Sequence, residues 1–201
     1  MLPVFLTVPK YLDELFVRVY VVISVFNFVN TADSSVRSDL EEWSRVAASN
    51  VNQALENDSP LLNRRIEANA RLISLIQSDA VSTPESFRGV RDTNGSLQAG
   101  AIVTDMEDHL YVDYLATAPW NITGDEPKSV SRAATRLMAQ IVRESIDTGY
   151  GGRIIVDAVS GSTDFYRTMG FIETGEGSAS APEMVLTPQA ARDFLDDVTG
   201  E

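Results

Sequence analysis

Apolar side chains recur at helical spacing from Val130 through Ala133, Ala134, Leu137, Met138, Ile141, Val142 and Ser145 to Ile146. Arg132, Arg136 and Arg143 fall on the other side. The pattern predicts an amphipathic helix over Ser129–Thr148, ended by Gly149, Gly151 and Gly152. The same period appears earlier. Leu40, Trp43, Val46, Ala47, Val51 and Ala54 predict a helix from Ser38 to about Glu56, behind an N-cap or turn at Asp33-Ser34-Ser35. Asn57-Asp58-Ser59-Pro60 interrupts it, and Leu62, Ile66, Ala70, Ile73 and Ile76 predict a second helix from Leu61 to about Gln77. Residues 38–77 thus hold two helices.

The period then changes to that of strands. Ser86–Arg91 and Leu97–Thr104 flank Asp92-Thr93-Asn94-Gly95-Ser96, a hairpin turn in which Asn-Gly supplies positive φ angles. His109–Thr117 is a further strand, stopped by Pro119. Arg153–Val159 reads as a strand, Ser162–Met169 as a short helix, Glu183–Leu186 as a last strand and Pro188–Asp197 as a terminal helix. The β-branched and aromatic run of residues 19–29 reads as a first strand. The longer apolar stretch Leu15–Val29 has 15 residues and contains Arg18, against roughly 20 needed to cross a bilayer, so neither a membrane span nor a signal peptide is expected. The default location is then the cytoplasm. Residues 1–201 are read as one α/β (α+β) domain with a mixed central sheet flanked by helices.

Composition narrows the chemistry. With no cysteine and His109 as the only histidine, thiolate chemistry and a His-rich metal cluster are excluded, and a His-based triad is disfavoured. Acid–base work falls to Asp, Glu, Tyr, Lys, Ser or water. The net charge of −13 argues against nucleic acid and suits a cationic or amine-bearing partner.

A strand ending at a loop that opens a helix presents backbone N–H groups to an anion, and Ala116-Thr117-Ala118-Pro119 leads to such a helix start near Ser129. Ser129 and Ser131 can serve there as caps or as hydroxyl donors. Beyond the helix lie Gly151-Gly152-Arg153-Ile154-Ile155-Val156 and Phe165-Tyr166-Arg167-Thr168-Met169-Gly170-Phe171. Together with Asp113-Tyr114-Leu115-Ala116-Thr117-Ala118-Pro119 and the element order, these segments resemble the GCN5-related N-acetyltransferase (GNAT) family over nearly the whole chain.

The resemblance implies acyl transfer from acetyl-CoA to an amine by direct attack, without an acyl-enzyme. The acceptor would be a small molecule or a lysine-bearing partner, and a homodimer would be in keeping with the family. In such a fold the fourth and fifth strands splay to admit the pantetheine arm, which would pair with Leu115, Ala116 and Thr117. N–H groups near Thr117 would stabilise the tetrahedral oxyanion. The pyrophosphate would lie on Ser129, Arg132, Ala133, Ala134 and Thr135, with Ser162 and Phe165 completing the cofactor contacts. Tyr166 would be the general acid and Asp113 the general base, with Asp105, Glu107 and Asp157 as weaker candidates. The first two helices and the Gly175–Pro182 loop would shape the acceptor site.

One stretch departs from the pattern. The family's pyrophosphate loop reads Gln/Arg-x-x-Gly-x-Gly/Ala, but no glycine lies between Gly124 and Gly149. The preferred register puts Ser129 at the Gln/Arg position, Arg132 at the first glycine and Ala134 at the second. A shift by three puts Glu126, Ser129 and Ser131 there instead. The alternative function is therefore a non-catalytic GNAT-like binding domain with a degenerate loop.

Overall fold

The computed structural model describes residues 26–54, 59–124, 128–159 and 161–200. Of the strand expected over residues 19–29, the part up to residue 25 lies outside these. The remainder contains β1 (Asn27–Val29). Among the described residues no helix is long and apolar enough to cross a membrane.

The two early helices are longer than the periodicity suggests. Helix α1 (Ser34–Ala54) starts four residues before Ser38, because Asp33 Oδ1 accepts the Val36 N–H at 2.9 Å and caps the helix there. Pro60 occupies the first turn of α2 (Pro60–Ser82), where its missing N–H carries no penalty. The hairpin of β2 (Phe87–Arg91) and β3 (Leu97–Asp105) closes through Asp92, whose Oδ1 accepts the N–H groups of Asn94 and Ser96. Next come β4 (Leu110–Thr117), a one-turn helix α3 (Trp120–Thr123) and α4 (Ala133–Asp147). They lead into β5 (Ile154–Asp157), α5 (Thr163–Arg167), β6 (Ile172–Ser178), β7 (Ala181–Leu186) and α6 (Pro188–Thr199).

The described strands form a seven-stranded mixed sheet in the order β1-β2-β3-β4-β5-β7-β6. Only β4 and β5 run parallel, joined by the α4 crossover. Each face of the sheet carries its own core. Leu137, Met138, Ile141 and Val142 of α4 and Phe194 of α6 cover Ala101, Val112 and Ile154 on one face. Trp43 of α1 and Ile73 and Ile76 of α2 cover Phe87, Leu97 and Ile102 on the other. Each large side chain fully buried this way contributes roughly 1.5–3 kcal/mol. Gly152 is required where α6 crosses the end of α4: its φ is 91°, and a Cβ there would come within 2.5 Å of Ala191 Cβ.

Two expectations change, and two elements were not expected. Helix α4 begins at Ala133, four residues after Ser129, because Arg132 adopts a left-handed conformation (φ 66°, ψ 16°) that cannot continue a helix backwards. The Gly175–Pro182 segment, expected as a loop, is instead the paired end of the β6–β7 hairpin. Strand β6 escapes the pattern because every residue in it is exposed, so it has no apolar face to alternate. The one-residue-per-turn logic also misses α3, which is too short to show a period.

Candidate active site

The site is built where β4 leaves β5. The two strands pair from Leu110↔Ile154 to Val112↔Val156 and no further, although β4 continues to Thr117. A bulge causes the parting. On the β3 side Ile102 faces Tyr114 and Val103 faces Val112, so Asp113 is an extra residue. Before the bulge Leu110 and Val112 point into the α4 core. After it Tyr114 and Ala116 point into the α1/α2 core. Asp113 therefore sits at the point where the sheet opens.

Asp113 is half-buried, and its Oδ2 accepts a hydrogen bond from Thr104 Oγ1 at 2.7 Å. Burial raises its pKa above the ordinary carboxylate value, and the charge of Asp79 on α2 raises it further, while the Thr104 hydrogen bond opposes both. Tyr111, two residues earlier, has its pKa raised by burial first, then by the hydrogen bond and charge of Asp157, then by Asp113 and Glu183. This side of the opening is thus acidic and strongly favours a cation.

Tyr166 lies on the other face, 6% exposed in the α4 core, edge-on to Phe165 (5.2 Å) and Phe171 (5.3 Å). Burial alone raises its pKa well above that of an ordinary tyrosine, and its hydroxyl bonds to none of the described residues. Asp113 and Tyr166 do not touch. They approach the sheet from opposite faces and can act on one molecule only through the β4–β5 opening.

The backbone of β4 beyond the bulge is only partly available. Ala118 N–H donates to the Gln98 carbonyl, so by antiparallel alternation Thr117 turns its own N–H and C=O away from β3. Both are taken by Asn69 of α2: Nδ2 donates to the Thr117 carbonyl at 3.0 Å and Oδ1 accepts the Thr117 N–H at 3.3 Å. The N–H expected near Thr117 for an oxyanion is thus engaged by a buried amide. By the same alternation Leu115 presents its N–H and C=O to the opening, whereas Ala116 faces β3.

Four of the predicted cofactor residues, Arg132, Ala133, Ala134 and Thr135, gather at the start of α4. Arg132 is its N-cap without a side-chain capping bond, and the first-turn N–H groups of Ala133, Ala134 and Thr135 precede the first intrahelical acceptor. Arg132 is the one non-glycine residue with positive φ among the described residues. It stands at the first glycine of the preferred register, so the backbone shape that glycine normally supplies is present without glycine. Arg132 and Thr135 line a cavity of about 480 Å³ with Thr168 and Met169 behind α5 and with Asp196 and Asp197 at the end of α6. Arg136 ties that end down by donating to the Val198 carbonyl at 2.8 Å. Ser129 lies half-buried in the loop before α4, outside the helix. Ser162 is the N-cap residue of α5, but its hydroxyl donates to the Val159 carbonyl at 2.8 Å. Of the weaker base candidates, Asp157 stands beside Tyr111, whereas Asp105 accepts from Tyr150 at 2.7 Å at the far end of β3.

Sequence reasoning missed Tyr111, Thr104 and Asn69. Tyr111 had a signal, since it alternates with Asp113 on the same strand. Asn69 had none, because nothing in a helix's spacing shows which backbone group its amide will meet.

No family model and no curated protein matches the sequence. Solved structures do match in shape. The PaiA N-acetyltransferase of Thermoplasma acidophilum, in complex with coenzyme A, superposes with a TM-score of 0.51 at 14% identity, over 81% of this chain and 99% of its own. The apo form of FdhC, a nucleotide-linked sugar GNAT, superposes with a TM-score of 0.52 at 9% identity, over 88% of this chain and 93% of its own.

Proposed function

We propose that this chain, which has the GCN5-related N-acetyltransferase fold, moves an acetyl group from acetyl-CoA to an amine. The observation that carries the reading is the parting of β4 from β5 at Asp113, with a carboxylate on one face and a buried phenol on the other. The residues present suit the cofactor. First-turn N–H groups of α4 and the left-handed turn at Arg132 would bind its pyrophosphate, and Leu115 would pair with its pantetheine arm. When bound, acetyl-CoA supplies an activated carbonyl.

The chain's own groups do the rest. Tyr166 keeps its proton at neutral pH because burial disfavours the phenolate, and so it is a donor toward a departing thiolate. Asp113 receives a proton at its carboxylate from an ammonium group held by the acidic side of the opening, where Tyr111, Asp157 and Glu183 lie close together. That side favours a cationic acceptor, either a small amine or a lysine side chain. Calorimetric titration with coenzyme A and acetyl-CoA tests the cofactor claim: heat and a raised melting temperature are expected, and the absence of both at millimolar ligand refutes it.

One observation favours the second reading, a fold kept for binding without turnover. Asp196 and Asp197 line the cavity at the very helix start that would take the diphosphate, and their charge opposes an anion. Under that reading Tyr166 is dispensable.

A further inference from the structure

Two side-chain amides, the fully buried Gln98 and the half-buried Asn121, connect the β2–β3 hairpin to the segment that leads into α4. Gln98 is itself a bulge residue, since Val90 faces Ala99 and Arg91 faces Leu97, leaving Gln98 unpaired on β3. Its side chain is fully buried. Gln98 Nε2 donates to Asp92 Oδ2 at 2.9 Å, and Gln98 Oε1 accepts from Trp120 Nε1 and Asn121 Nδ2, both at 3.1 Å. Asn121 Nδ2 also donates to the Gln98 carbonyl at 3.1 Å. The other end of the same amide, Oδ1, accepts the backbone N–H of Val130 at 2.7 Å. Val130 lies two residues before Arg132. The loop is also tethered at Lys128, whose ammonium sits 5.1 Å above the Trp120 ring and 3.1 Å from Glu42 Oε1.

Each donor and acceptor in this chain of bonds has a partner, and each partner is fixed by packing. Asn121 is oriented by a fully buried Gln98, which is oriented by the Asp92 of the hairpin turn. A fully satisfied buried network rigidifies what it touches. What it touches last is the segment that enters the left-handed turn at Arg132. Short loops without such a brace have many conformations, and a ligand must then pay the cost of ordering them.

We infer that Asn121 is a positioning residue for the cofactor's diphosphate: through Val130 it holds the residues that lead directly into Arg132 and the α4 N-terminus. The inference rests on the acetyl-CoA reading given above. It assigns to two amides the part that glycines play in the family pattern.

The test is calorimetric titration of coenzyme A into the wild type, Asn121→Ala and a destabilised control, Val36→Ala, which removes buried methyl groups and makes none of these hydrogen bonds. Asn121→Ala is expected to bind coenzyme A about ten-fold more weakly. Val36→Ala is expected to bind like the wild type even though it melts at a lower temperature. Equal affinity of Asn121→Ala and wild type overturns the inference alone, and so does an equal loss in both variants. A wild type that does not bind overturns the cofactor reading and this inference with it. A second measurement needs no variant. In the wild type without ligand the Val130 amide must exchange its hydrogen slowly, and exchange at the rate of an open loop overturns the brace.

Discussion

At the opening between β4 and β5 the candidate site is made of side chains, whereas at the entry of α4 it is made of backbone. On the proposed reading the opening needs a carboxylate and a phenol with shifted proton affinities, and burial raises the pKa of both Asp113 and Tyr166. The entry needs only N–H groups aimed one way, and the N-terminus of α4 provides those whatever its sequence. On the reading proposed above, the difference explains how the side-chain half could be read from motifs such as Phe165-Tyr166 while the α4 entry departs from the family's glycine pattern. Backbone geometry can be reached by several routes, and on the proposed reading a left-handed arginine braced by amides would take the place of glycine.

The sharpest way to break this contrast is Tyr166→Phe. Thiol release from acetyl-CoA across a panel of amines should fall by about 100-fold or more, while coenzyme A affinity and melting temperature hold. An unchanged rate would remove the side-chain half of the site and leave the second reading. Asp113→Asn acts next. The raised pKa moves the acid limb of the wild-type pH–rate profile to higher pH than an unperturbed aspartate would give, and the variant should lose that limb along with most of its rate. The linked stability has a definite sign. Folded Asp113 binds its proton more tightly than the unfolded chain does, so wild-type stability from this group declines as pH rises through the window between the unfolded and folded values. Asp113→Asn should therefore melt slightly higher than wild type at neutral pH, and a lower melting point would show that the carboxylate is stabilising.

The smallest effect separates conformation from charge at the α4 entry. A left-handed residue other than glycine costs about 1–2 kcal/mol, so Arg132→Gly should leave coenzyme A affinity within about three-fold of wild type. Arg132→Val, β-branched in the same conformation, should weaken it more. If Arg132→Gly instead binds far more weakly and loses salt dependence, the guanidinium carries the binding rather than the turn.

The elements that bury an amphipathic face were legible from periodicity. The α4 stripe from Ala133 to Val142 reads straight through to the core it covers, whereas β3, buried on both faces over most of its length, was placed by the Asn-Gly turn before it. The exposed β6 was not, because a strand without a buried face leaves no trace in a hydrophobic pattern. Arg132 marks another limit: no residue type announces that it will take positive φ except glycine and, at times, asparagine. Within the site, Asp113 and Tyr166 stood out through the motifs around them. Asn69, Gln98 and Asn121 act through amide contacts with strands or loops 48, 22 and 9 residues away in sequence, and such pairings are settled only when the sheet closes.

The extra residue at Asp113 has a consequence for anyone recombining this chain with a relative. It divides β4 into two reading frames of inward and outward positions, with Leu110 and Val112 in one and Tyr114 and Ala116 in the other. A chimera whose crossover drops or duplicates a residue between Val112 and Tyr114 would keep the overall composition of the strand yet send one half of it to the wrong core. Crossovers in this strand are safe only where both parents keep the same phase on each side of that aspartate.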